Sequence, residues 1–105
     1  MRGIYCPIHG DLNYLYVVCD KEGNCTTLHA CPKCRIEMTY EKWEKVDRTI
    51  EKLRIPRDRI LGAHVVSRED VVPLSDEWRI YTYSNTLSVL VVNLGDRYYV
   101  LKFKK

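Results

Sequence analysis

Residues 6–10 read Cys6-Pro7-Ile8-His9-Gly10 and residues 31–35 read Cys31-Pro32-Lys33-Cys34-Arg35. Each stretch sets two metal-capable side chains three positions apart, with proline directly after the first and glycine or arginine directly after the second. Proline fixes φ after the first ligand, and glycine tolerates the left-handed backbone that a tight ligand-bearing turn needs. If the two turns converge they deliver three thiolates and one imidazole, a donor set that suits a closed tetrahedral structural site. The pattern therefore predicts one structural Zn²⁺ per chain, held by Cys6, His9, Cys31 and Cys34. A lone Cys-x-x-Cys would carry little weight. Two turns with the same internal grammar carry the assignment.

Other uses of these cysteines fit less well. A thioredoxin-like redox pair wants a single Cys-x-x-Cys opening a helix within a βαβ pattern, whereas here the flanks are hairpin-like and the partner turn carries a histidine. An extracellular disulfide framework wants an even cysteine count and a signal segment. The chain has five cysteines, and residues 1–5 lead straight into the first ligand with no apolar run. His29, two residues before Cys31, is the alternative imidazole. His9 is preferred because its spacing from Cys6 mirrors that of Cys31 and Cys34.

Between the turns lie NYLYVVC (13–19), DKEGN (20–24) and CTTLH (25–29). A β-branched and aromatic run, turn residues and a second short run predict a β-hairpin. Turn, hairpin, turn is the plan of zinc-ribbon and treble-clef modules, and residues 6–35 resemble that broad group. The resemblance covers under a third of the chain and implies a metal module. Histidine at position 9 replaces the commoner cysteine. Cys19 and Cys25 flank the hairpin turn. They read first as ordinary reduced thiols, second as a cross-strand disulfide, and last as substitute ligands.

Residues 35–38 suggest a short third strand. Thr39 is then a candidate N-cap for a helix over residues 40–54, where Trp43, Val46, Ile50 and Leu53 recur at helical spacing and form one apolar stripe. Glu41 with Lys45 and Glu44 with Arg48 are i,i+4 pairs, Lys52 and Arg54 suit the helix C-terminus, and Pro56 ends it. Beyond it, residues 60–66 read as a strand despite Gly62, residues 67–70 as a helical turn or loop, and Pro73 as a breaker. Residues 78–84, 86–93 and 97–103 predict an antiparallel meander whose last hairpin turns at Gly95-Asp96. That register places Val92 opposite Tyr99, Val91 opposite Val100, Leu90 opposite Leu101 and Ser88 opposite Phe103. The strand Val89-Leu90-Val91-Val92 is apolar on both sides and is expected to be central and covered on both faces. The expected fold class is thus α+β, with a zinc-bound hairpin module (1–38), one amphipathic helix (39–55) and a C-terminal antiparallel sheet (56–105) packed on the helix.

At 105 residues the chain has room for one domain, or for two small units sharing an interface. The formal charge of +3 falls to +2 once three thiolates bind one divalent ion, so net charge alone does not argue for a polyanionic partner. Charged residues make up 30% of the chain and glutamine is absent, a composition resembling that of thermophiles, in which intracellular disulfides persist. An intracellular, soluble, cytoplasmic protein is expected.

Two clusters point toward nucleic acid. Lys52, Arg54, Arg57 and Arg59, with Lys33 and Arg35 on the second metal turn, form either a phosphate-binding patch or a solvated elbow. Arg79, Tyr81 and Tyr83 share one side of a strand, as do Arg97, Tyr99 and Phe103 of another, and Lys102, Lys104 and Lys105 lie nearby. Aromatics beside cations stack and neutralise single-stranded nucleic acid, although tyrosine also simply favours strands, and Tyr99 opposite Val92 reads as core. Catalysis finds no constellation. There is no phosphate-cradling glycine loop, no His-Glu-x-x-His and no nucleophile elbow, and His64 sits in an apolar run. The expected function is a small zinc-stabilised nucleic-acid-binding protein or regulator. The alternative is a protein–protein adaptor, homodimeric if an edge strand pairs with itself, and an enzyme with an unrecognised site is the weakest reading.

Overall fold

A computed structural model describes residues 5–12, 14–70 and 74–105. Asn13 and Pro73, which the sequence reading places in a strand and at a break, lie outside them. Among the described residues the protein is α+β: one helix and nine strands, paired antiparallel in three sheets.

Strands β1 (Tyr5–Cys6) and β2 (Gly10–Asp11) form a two-stranded ribbon around the first metal turn. β3 (Tyr14–Cys19), β4 (Cys25–Cys31) and β5 (Ile36–Met38) form the second sheet in that order. The β3–β4 turn is built by Asp20, whose side-chain oxygen accepts the amides of Glu22 and Asn24 at 2.9 Å each, and by Gly23 at φ 87°. Cys19 lies directly opposite Cys25 and the two form a disulfide, with Cα atoms 4.0 Å apart. The ordinary reduced state expected first is therefore not the one adopted. The register brings the two residues together as a closely spaced antiparallel pair, the geometry a cross-strand bridge requires.

Helix α1 (Tyr40–Lys52) follows Thr39, which caps by its extended backbone without a side-chain hydrogen bond. Trp43, Val46, Thr49 and Ile50 are buried, and Leu53 packs against the core from just beyond the last turn. Thr49, the polar member of this stripe, satisfies its hydroxyl on the Lys45 carbonyl at 2.8 Å. Glu44 and Arg48 pair at 3.7 Å. Lys45, expected to face Glu41, instead donates to the Asn93 carbonyl at 2.5 Å, and Lys42 reaches Asp96 at 2.8 Å. Two lysines thus tie the helix to the end of the C-terminal sheet. Hydrogen bonding to Lys42, aided by its charge, holds the Asp96 carboxyl below its usual range.

The C-terminal sheet runs β6 (Ile60–Ser67), β9 (Arg97–Lys104), β8 (Leu87–Asn93), β7 (Trp78–Thr82). The β8–β9 register places Val92 opposite Tyr99, Val91 opposite Val100, Leu90 opposite Leu101 and Ser88 opposite Phe103, with Gly95 at φ 95° in the turn. Gly62 marks a bulge where β6 slips against β9. β7 ends at Thr82, earlier than expected, because the Ser84 hydroxyl accepts the amides of Thr86 and Leu87 and closes a turn. Residues 68–70 form a single 3-10 turn.

One core joins these parts. Trp43 meets Tyr99 edge-on at 6.2 Å, and its indole N–H donates to the His29 carbonyl at 2.7 Å, so one side chain contacts both the C-terminal sheet and β4. Ser88, Leu90 and Val92 face this core, while Val89 and Val91 on the opposite side are only half-buried. The coverage expected on both sides of β8 is therefore complete on one. On the other, among the described residues, it is confined to one corner, where the Leu74 amide donates to the Tyr98 hydroxyl at 2.7 Å and Arg68 lies over the Tyr98 ring at 5.9 Å.

The helix ends with two reversed hydrogen bonds, Arg54 N to Glu51 O at 3.0 Å and Ile55 N to Ile50 O at 3.2 Å, with Arg54 left-handed at φ 54°. This is the Schellman geometry, which normally takes glycine at that position. Arg54→Gly is expected to raise stability by about 0.5–1 kcal/mol, since left-handed backbone costs a residue with a Cβ about 1–2 kcal/mol and glycine's greater freedom in the unfolded chain offsets part of that gain. A denaturant midpoint that falls would contradict this.

Candidate metal centre

Both ligand turns are strand-to-strand connections. Cys6 closes β1, residues 7–9 turn, and Gly10 opens β2; Cys31 closes β4, residues 32–35 turn, and Ile36 opens β5. The residue after the second ligand is left-handed in both, Gly10 at φ 91° and Arg35 at φ 57°. The parallel grammar of the two sequences thus corresponds to a parallel backbone.

The turns meet. Cys6 Sγ lies 3.5 Å from Cys34 Sγ, and His9 Nδ1 lies 3.7, 3.3 and 3.1 Å from the sulfurs of Cys6, Cys31 and Cys34. All four donor atoms fall within 4.8 Å of one another. Around an ion with metal–sulfur bonds of about 2.3 Å and metal–nitrogen bonds of about 2.05 Å, a tetrahedron needs edges of roughly 3.5–3.8 Å. The separations of 3.1–3.7 Å lie close to that requirement, and together the four residues can hold a metal ion. Cys6, Cys31 and Cys34 are not in disulfides. His29 is not a member of the cluster: its ring packs edge-on against Tyr40 at 6.1 Å.

The surroundings of the donor set disfavour two of the three thiolates. Burial pushes the Cys6 and Cys34 thiols up, and the neighbouring sulfurs push Cys34 further. Burial acts the same way on Cys31, but amide hydrogen bonds from Cys34 and Lys33 and the other two sulfurs outweigh it and lower that thiol. Tyr99 stands within reach of the same charges. Its pKa is raised by burial and then by Cys6, Cys34 and Cys31, and its buried hydroxyl has no hydrogen-bond partner among the described residues. A cation at the centre of the donors would relieve the crowding of three sulfurs.

Arg57 takes a role that sequence reasoning missed. Its Nε donates to the Pro7 carbonyl at 3.1 Å and its Nη2 to the Cys6 carbonyl at 2.9 Å. The side chain comes from a 3-10 turn at Arg57–Arg59 and braces the first metal turn across fifty residues of chain. Gly10 makes room for it, since a Cβ there would lie 3.3 Å from Nη2. Of the remaining basic residues, Lys33 and Arg35 are exposed on the second metal turn, and Lys52, Arg54 and Arg59 are exposed near the helix end. The signal for Arg57 in the sequence is only its position after Pro56, which does not distinguish a brace from a solvated cation.

The aromatic candidates separate. Tyr99 is fully buried, whereas Tyr81 and Tyr83 are 46% and 77% exposed. Arg79 stands opposite Val91, Val91 opposite Val100 and Val100 opposite His64. One row along, Tyr81 stands opposite Val89, Val89 opposite Lys102 and Lys102 opposite Gly62. Tyr83 then meets Leu87 through a 3.0 Å backbone bond, and Leu87 lies opposite Lys104. These rows form one side of the sheet, the side facing away from α1.

No protein-family model, curated protein or solved structure matches this chain. Among the described residues no helix is long and apolar enough to cross a membrane.

Arg57→Ala is expected to loosen the first metal turn. Competition with a chromophoric chelator should show metal binding weakened by about 1–2 kcal/mol, the worth of hydrogen bonds from a charged donor, with the α1 helical signal retained. Unchanged affinity would reduce Arg57 to an ordinary surface cation.

Proposed function

We propose that the chain is a zinc-stabilised binding protein whose C-terminal sheet takes up single-stranded nucleic acid. Zinc is the ion this donor set suits, because three soft thiolates and one imidazole in a closed tetrahedron match its preferences and leave no open position for catalysis. Its contribution is to folding. β1, β2 and the turns around them are too short to build a core of their own, so binding free energy substitutes for buried surface.

The observation that carries the nucleic-acid reading is the outer side of the C-terminal sheet. Arg79, Tyr81, Lys102, Lys104 and His64 come from three strands, with Tyr83 just beyond the end of β7, and they stand in adjoining rows. Half-buried Val89, Val91 and Val100 form the floor between them. Exposed phenol rings give stacking surfaces for bases, and the cations beside them meet the phosphates. Arg79 donates to Asp76 at 2.8 Å, and that hydrogen bond raises its pKa, so the guanidinium stays charged. The basic elbow, with Arg57 engaged in bracing, supplies at most a peripheral field.

The test has two parts. Elemental analysis should return about one zinc per chain, and Cys31→Ser or Cys34→Ser should cost several kcal/mol of stability; a folded protein without bound metal would reject the first part. Fluorescence anisotropy with a labelled oligonucleotide should show binding that falls steeply with salt. Tyr81→Ala should cost about 1–3 kcal/mol, and Lys102→Ala should reduce the salt slope by about 1. Absence of binding at low salt, or binding indifferent to both changes, would reject the second part.

A further inference from the structure

The structure points to β3 as a self-association edge: we propose that two copies of this chain pair through β3, antiparallel, about a two-fold axis at Tyr16. This inference is independent of the nucleic-acid reading and uses a different surface.

Every residue of β3 is exposed. Tyr14, Leu15, Tyr16, Val17 and Val18 are 56%, 60%, 47%, 69% and 53% accessible, five consecutive apolar side chains on both sides of one strand. Scattered exposed apolar residues are ordinary, but a contiguous run marks an interaction surface. β3 is also the outer strand of its sheet, and among the described residues one of its edges is unpaired.

The register identifies the main-chain groups on that edge. Cys19 and Cys25 are a closely spaced pair, which in an antiparallel ladder is the pair that exchanges no hydrogen bonds. Alternation makes Val17 with Thr27 and Leu15 with His29 pairs of the same kind. The N–H and C=O groups of Leu15 and Val17 therefore point away from β4.

The other sheet edges carry the features that discourage pairing. β7 bears Arg79, β5 is three residues long with Glu37 at its centre, and β6 is bulged at Gly62. β3 has no charge, no proline and no bulge from Tyr14 to Cys19. The hairpin it belongs to is also fastened at tip and base. The disulfide closes its tip, and β4 runs directly into the metal ligand Cys31. A preorganised edge has little ordering entropy to lose on association.

A second copy is the occupant this edge fits. With Tyr16 on the axis, Leu15 of one copy lies opposite Val17 of the other, and each of those residues directs its main-chain groups at its counterpart. Tyr14 lies opposite Val18, an aromatic against a β-branched side chain, a favourable cross-strand pair. No like charges are brought together, as a two-fold contact of the strand with itself requires. The result is one continuous six-stranded sheet made of β5, β4 and β3 from each copy. Taking about 200 Å² per tyrosine side chain, the strand presents roughly 450 Å² of accessible surface, or at most about 900 Å² for two copies. That is the size of a reversible interface, reinforced by main-chain hydrogen bonds, so the dimer should depend on concentration.

Sedimentation velocity across a wide concentration range, on oxidised and metal-loaded protein, should show a monomer–dimer equilibrium. Amide hydrogen exchange should find Leu15 and Val17 protected at high concentration and fast on dilution. Tyr16→Lys and Tyr16→Glu each set like charges against each other on the axis and should weaken the dimer at least about tenfold, while an equal mixture of the two should restore it. A monomer at every concentration would overturn the proposal. So would a dimer in which Leu15 and Val17 exchange freely, or one that neither substitution weakens.

Discussion

Everything in this fold depends on four side chains meeting at one point. Cys6 and His9 belong to a ribbon of two-residue strands, and Cys31 and Cys34 to the connection between β4 and β5. Neither ribbon nor connection buries enough apolar surface to hold its shape alone, so the closing of the tetrahedron decides where the amino-terminal third lies. Once it is closed, Cys6 and Cys31 become core residues, continuous with Ile36, Met38 and Trp43. The donor cluster is thus one wall of the hydrophobic core, so a bound metal would stabilise the same structure as the packing.

That arrangement explains which parts of the molecule are legible in the sequence. The ligand turns are legible because coordination chemistry demands particular residue types at a fixed spacing. The helix is legible because Trp43, Val46 and Ile50 recur at its period, and the β8–β9 register because Gly95-Asp96 permits few turns and sets every pair behind it. What escapes are interactions whose partners are remote in the chain and whose chemistry is generic. Arg57 reads as one cation among several, although it grips carbonyls near position 7. Lys45 reads as a helix-surface partner for Glu41, although the Asn93 carbonyl is closer at hand.

The hairpin shows the same limit from another side. Its strands follow from β-branched and aromatic residues, but that pattern ordinarily implies a covered face, and β3 is covered on neither. Burial is a property of what surrounds a strand, and local composition does not encode it. The state of Cys19 and Cys25 is similar. The commonest state of intracellular cysteine is the reduced thiol, whereas the cross-strand register sets these two side by side and favours a bond between them.

The β3–β4 hairpin is consequently fastened by two kinds of chemistry with opposite sensitivities. Its base relies on sulfurs that must stay reduced to grip an ion, and its tip on sulfurs that must stay oxidised. With an ion bound, a reductant that does not itself bind metals would unfasten the far end and leave the anchor intact, while a chelator would do the reverse. Such a molecule persists intact only where coordination shields three thiols from oxidants that have already claimed the other two. Its five cysteines therefore describe the redox conditions it is built for as much as the shape it adopts.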